Sequence, residues 1–169
     1  NNITGTELRY GRVRLENTFG PEDATLSVPV LADYYLADAW AINRQDSCTA
    51  LNLAQSSGQI TITDGSEGEF ESDITALLSS TSISGSLTSG QSATDTFLLG
   101  PALSDGVAQR GTVAVSLEPG VGNPAWANFL NIDWNLDGQI DVNDKPSASV
   151  SFGHYRGNDR TLNWREQFE

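Results

Sequence analysis

Residues 26–36 read "LSVPVLADYYL", and Leu26, Val28, Val30, Ala32, Tyr34 and Leu36 occupy every second position. Successive side chains of a strand point to opposite faces, so this parity sets six apolar or aromatic groups on one face of an extended segment. Pro29 has no amide hydrogen to give to a ladder, which predicts an edge position or a bulge at that point. The same period recurs in short runs on both sides. Val13 and Leu15, Trp40 and Ile42, Ile60 and Ile62, Val113 with Val115 and Leu117, Val150 and Phe152, and Leu162 and Trp164 each share a parity. Turn chemistry separates the runs, at Phe19-Gly20-Pro21, Asp64-Gly65, Asp105-Gly106 and Gly157-Asn158-Asp159. Many short strands with polar turns predict an all-β fold, a single β-sandwich of the immunoglobulin-like or jelly-roll-like kind, over residues 1–169. No run holds a helical period over three turns. Asp73 to Leu78 is expected to form one short helical turn.

The middle of the chain has a different composition. No Lys or Arg occurs from Gln45 to Gln109, and the tract "SSTSISGSLTSGQSATDT" is almost entirely Ser, Thr, Gly and small residues. Such a tract suits either a flexible linker or a solvent-facing hairpin. Ile83 and Leu87 share a parity within it, and a structureless loop of this length is uncommon in a compact domain, which favours the hairpin.

The 169 residues suffice for a buried core without disulfide staples. Nine basic and 22 acidic side chains leave a formal charge of −13. That field repels phosphate backbones and anionic lipid heads, so neither nucleic acid nor membrane insertion is expected; calcium and cationic protein patches are better partners. The longest apolar run falls well short of the ~20 residues that cross a bilayer. The chain starts Asn-Asn and contains no Met, as expected of a processed chain or an excised domain. Cys48 is the single cysteine, so it either pairs outside this segment or is a buried thiol near Ile42 and Leu51; a self-contained domain favours the buried thiol.

Catalytic signals are few. His154, the one histidine, shares the parity of Val150 and Phe152 and is expected to pack as a strand residue. Neither a Gly-x-Ser-x-Gly elbow nor a His-Glu-x-x-His helix occurs. Glu67, Glu69 and Glu71 alternate along one face, as a solvated acidic edge strand would, although paired carboxylates are also what a glycoside hydrolase needs. The expectation is a non-enzymatic protein. Among the tryptophans, Trp40 and Trp164 sit in strand patterns and are expected in the core. Trp126 and Trp134 lie in or beside irregular segments and are candidates for contact with a partner or a sugar ring.

Residues 133–144, "DWNLDGQIDVND", form the sharpest local motif. Calcium takes six to eight oxygens from alternating positions around a turn whose sixth residue is glycine. Asp133, Asn135 and Asp137 stand at positions one, three and five, Gly138 at six, Gln139 at seven, Asp141 at nine and Asp144 at twelve. Asp144 replaces the usual glutamate, and its shorter reach lowers the expected affinity. The bland alternative is a metal-free, Asx-rich turn, but the complete register favours calcium. Lys145-Pro146 follows and blocks a helix. An EF-hand-like loop spliced between strands is therefore expected, serving the fold rather than a switch.

Taken together, "LRYGRVRLENTFGPEDATLSVPVLADYY", "RQDSCTAL" and "DWNLDGQIDVNDKPSASVSFGHYRGNDRTLNWREQF" resemble the C-terminal domain of MshQ-type proteins, large secreted proteins encoded with mannose-sensitive haemagglutinin (type IV) pilus systems. The resemblance covers about the first 50 and last 60 residues. It implies the C-terminal domain of a larger secreted protein, outside the inner membrane of a Gram-negative bacterium, acting in pilus biogenesis or adhesion. It implies minor pilins or a host or surface ligand as partners, and it brings no active site. The expected function is thus an extracellular, calcium-stabilised structural or adhesion module. The alternative is a carbohydrate-binding module using exposed tryptophans, which an exposed, coplanar aromatic pair would support.

Overall fold

In the computed structural model the described residues are 10–65, 73–79, 81–121, 130, 133, 138, 139 and 144–153. The decisive stretch forms two strands, β3 (Leu26–Ser27) and β4 (Val30–Leu36), with Val28-Pro29 between them. Leu26, Val28, Val30 and Ala32 are buried, as their shared parity requires, whereas Tyr34 is half-buried and Leu36 exposed. Pro29 makes the break, and its carbonyl accepts from Glu16 N at 3.0 Å. The consequence is a change of partner. β3 pairs with β9 (Leu98–Leu99), while β4 lies between β1 (Gly11–Leu15) and β5 (Ala39–Ile42) in an antiparallel sheet of order β1-β4-β5. The β4–β5 turn places Ala37 and Asp38 at φ 48 and 66, the left-handed pair that matches the twist of a tight hairpin.

A second sheet runs β2-β13-β12-β7, built from Thr18–Gly20, Ser147–Phe152, Gly111–Leu117 and Ile60–Asp64. β12 is antiparallel to both neighbours, and β2 runs parallel to β13. Phe19 and Gly20 complete β2 instead of forming a turn, and the chain turns only after Pro21. Ile60, Ile62, Val113, Val115, Leu117, Ala148, Val150 and Phe152 face inward and join Val13, Leu15, Val30 and Ala32 of the first sheet in one core cluster. The outward positions of this sheet are mostly hydroxyl-bearing, among them Thr61, Thr63, Ser116, Ser147 and Ser149. This is the inside–outside alternation of a sandwich, and the fold is all-β. Two single 3-10 turns, Gln55–Ser57 and Thr75–Leu77, lie between the strands. The second falls within the turn expected at Asp73 to Leu78, where Asp73 Oδ1 accepts from Thr75 N at 2.9 Å.

The Ser/Thr-rich tract is ordered by its two apolar residues. β8 (Ser82–Ser86) pairs with β6 (Ala50–Ala54), Ile83 and Leu87 are buried, and Ser82, Ser84 and Ser86 face solvent. The chain reverses at Ser89-Gly90 and returns through bridges Thr88↔Gln91 and Ile83↔Phe97, the expected hairpin in irregular form. Its tip is held by the loop around Asp46. Gly90 N donates to Asp46 O at 2.7 Å, Leu87 N to Thr49 O at 2.9 Å, and Ser89 N to Ser47 Oγ at 3.1 Å. A Cβ on Gly90 would lie 2.5 Å from Asn43 O, so glycine alone permits this approach. The remaining strands, β10 (Leu103–Ser104) and β11 (Val107–Ala108), form a small hairpin.

Candidate functional site

The outer face of β1-β4-β5 carries two cross-strand rows. In the first, Tyr35 stands opposite Trp40, and Tyr10 lies beside Tyr35 through the bond Tyr35 N to Tyr10 O of 2.8 Å. Trp40 meets Tyr10 at a centroid distance of 5.7 Å and 35°, and Tyr35 edge-on at 5.5 Å and 67°. In the second row Asp33 stands between Arg12 and Ile42. Its Oδ2 accepts from Arg14 Nε at 2.9 Å and from Arg12 Nε at 3.4 Å, which is how an acid only 4% exposed remains satisfied. The Arg12 guanidinium also lies 4.1 Å from the Trp40 ring centroid, a cation–π contact joining the rows. Arg14 donates through Nη1 to Glu16 at 2.9 Å. Its hydrogen bond to Asp33, outweighing partial burial, holds its pKa above the ordinary arginine value.

Trp40 therefore corrects the core assignment made from its parity: it is half-buried on the outer face, in an aromatic cluster. Parity shows which residues share a face but not which face is inside. The missed signal lay in "YGRVR", where Tyr10, Arg12 and Arg14 alternate with Val13 and Leu15 and so must face outward. Trp126, Trp134 and Trp164 lie outside the described residues.

Beside this face opens a groove of about 300 Å³ whose lining includes Arg12, Arg14, Trp40, Leu130, Asp144 and Lys145. It brings the start of the chain against the end of the candidate calcium loop. Of the six proposed ligands, Asp133, Gln139 and Asp144 are described, and Asn135, Asp137 and Asp141 lie outside the described residues. Asp133 Oδ2 accepts from Gly138 N at 2.7 Å, and Gly138 has φ 91, the left-handed turn that the sixth position needs. At the other end Asp144 is 6% exposed. The residues after it are fixed: Lys145 Nζ pairs with Glu118 Oε2 at 2.7 Å, and Leu117 N donates to Pro146 O at 2.9 Å. Glu118 is itself held by Thr61 Oγ1 at 3.2 Å. Pro146 leads directly into β13, so a strand follows the motif. Among the described residues no three acids, histidines or cysteines gather around one point.

Cys48 is exposed, which corrects the expectation of a buried thiol. The cause is Asp46. Its Oδ1 accepts from Cys48 N at 3.2 Å and Thr49 N at 3.0 Å, and its Oδ2 from Thr49 Oγ1 at 2.7 Å. This Asx turn carries Cys48 outward while it grips the hairpin tip. Partial burial pushes the Asp46 pKa up, but the hydrogen bonds from Thr49 and Cys48 outweigh it and hold the carboxyl below its ordinary value. His154, Glu67, Glu69 and Glu71 lie outside the described residues.

No curated relative and no solved structure matches the chain. A family model described as DUF6701, fourth domain, matches residues 9–167. That span takes in the aromatic–arginine face, the Ser/Thr-rich tract and the 133–144 motif, and the chain belongs to the DUF6701 family as its fourth domain.

Proposed function

We propose that this domain is a calcium-stabilised, non-enzymatic structural or adhesion module that works outside the cell in a pilus-associated assembly of the MshQ type. The observation that carries the calcium reading is the bond that closes the first half of the motif, with the last position buried. Asp133 bonds back to Gly138 across a left-handed turn, and Asp144 is buried ahead of the Lys145–Glu118 pair. Four carboxylates within twelve residues repel one another if they converge on one point, unless a cation offsets them. With position seven a carbonyl and positions one, three, five, nine and twelve side-chain oxygens, the donors are all hard, as calcium prefers.

The contact role is supported by the outer face of β1-β4-β5, where Trp, Tyr and Arg cluster. These are the residue types enriched in protein–protein hot spots. The tilts of 35° and 67° leave the described aromatics without a flat platform, which supports protein contact over sugar stacking. The pilus setting rests on the order of the sequence blocks that resemble MshQ-type C-terminal domains. A pull-down with the minor pilins of the same gene cluster tests it directly: retention of one pilin supports the setting, and retention of none removes it. A glycan array that finds a saccharide ligand would transfer the domain to the carbohydrate-binding class.

A further inference from the structure

Tyr10 and Tyr35 remain 55% and 47% exposed although both pack on Trp40. Below them the charges are matched within the face, since Arg12 and Arg14 are answered by Asp33 and Glu16. Two arginines therefore leave no local excess of positive charge. Asp38 is exposed on the β4–β5 turn at φ 66, two residues from Trp40. The surrounding field is that of a chain with net charge −13. Exposed tyrosine rings on a face without excess positive charge, in a negative field, attract ammonium and guanidinium groups through both the ring quadrupole and the net charge.

We propose that the Tyr10–Tyr35–Trp40 face docks a cationic segment of a partner protein. Lys or Arg side chains lie against the tyrosine rings, and the apolar parts of the segment cover the ring surfaces. This rests on the contact-module reading but uses none of the calcium ligands. A second copy of the chain is a poor occupant, because it would bring another −13 to the contact. A polyanion is repelled for the same reason.

The test uses the full chain and a short fluorescent peptide of alternating lysine and leucine, with a glutamate–leucine peptide as comparator, read by fluorescence anisotropy. Tyr35→Ala leaves the charge unchanged, so it separates docking on this face from diffuse attraction to an acidic surface. Val107→Ala, at a site 63% exposed on the β10–β11 hairpin, is the control. The expected result is lysine–leucine binding that weakens with salt and falls about tenfold in Tyr35→Ala, the size of a modest hot spot. Val107→Ala should bind like the parent, and the glutamate–leucine peptide should not bind. Equal binding by Tyr35→Ala, no binding by the parent, or equal binding of both peptides overturns the proposal. So does a dimer in sedimentation that Tyr35→Ala dissolves, since that makes a second copy the occupant. Unchanged melting of Tyr35→Ala shows that its fold is intact. Calcium-dependent melting can fail while this docking stands, and the reverse, so the two readings fall separately.

Discussion

Replacing Asp33 with Asn removes one charge from the point where both arginines converge. Asp33 is 4% exposed and accepts from Arg14 at 2.9 Å and Arg12 at 3.4 Å through a single oxygen. A hydrogen bond to a charged group contributes about 1.5–3 kcal/mol, and breaking a buried ion pair costs about 3–5 kcal/mol. The arginine side chains are 33% and 36% exposed and regain hydration when released, so the upper figure does not apply. The amide also keeps an oxygen to accept one bond. The expected loss is about 2–3 kcal/mol, which for a domain of this size lowers the melting temperature by about 4–12 °C. A second consequence follows from Arg12, which lies 4.1 Å over Trp40 and is steered there in part by Asp33. The Asp33→Asn substitution should therefore shift the Trp40 emission, obtained by subtracting spectra of Trp40→Phe variants in each background. Calorimetry reads the stability term and fluorescence the geometric one. A melting change below about 1 °C with unaltered Trp40 emission would refute the claim that Asp33 organises this face.

Glycine at the hairpin tip offers a matched comparison. Gly90→Ala meets Asn43 O at 2.5 Å as well as φ 77, whereas Gly106→Ala, at φ 79, meets nothing within 4 Å, so thermal melting should fall clearly further for Gly90→Ala. Because the Asp46 carboxyl is held below its ordinary value of 3.8, its contribution is complete above that pH and is lost as pH falls through the lower folded value. Amide exchange, corrected for its intrinsic pH dependence, should show protection at Thr49 and Gly90 declining on acidification below about pH 4, and Asp46→Asn should lack that pH dependence. Exposed Cys48 should react with a thiol reagent in the native protein about as fast as in denaturant, and slow native labelling would restore the buried thiol.

The strand alternation was legible because one face of each strand is buried, and a one-residue slip would expose the whole apolar set. Hence Val113, Val115, Leu117, Val150 and Phe152 all lie in the core, as their parity predicts. Pro29 was legible as a weak point of the ladder because its missing amide is a local property, but the expected edge or bulge is instead a break between β3 and a central β4. The partners were not. That β3 crosses to β9, and that β2 runs parallel to β13, depends on chain paths that no local pattern encodes. Trp40 was misplaced because apolar parity cannot choose between two faces when Arg12 and Asp33 cover one of them. Cys48 was misplaced because a side-chain turn at Asp46, not hydropathy, sets its direction. Of the 133–144 motif, the turn from Asp133 to Gly138 was legible, since its spacing is a property of consecutive residues, while Asn135, Asp137 and Asp141 lie outside the described residues. The aromatic–arginine face was not, because it joins residues from three strands.

We propose that 133–144 holds calcium, and that the bound ion ties the loop to the sandwich. Titration calorimetry with calorimetric melting of the same protein tests it most directly. A dissociation constant on the order of 10⁻⁴ M lies at the tight edge of the weak extracellular range. A hundredfold excess of calcium over that value adds about 2.7 kcal/mol, a rise of about 5–11 °C in melting temperature. Magnesium should reproduce little of it, and Asp137→Ala should abolish the rise while the calcium-free protein remains folded. Calcium heat that vanishes in Asp137→Ala, together with that rise, is the predicted result; no heat and an unmoved melting curve in the parent protein would contradict it.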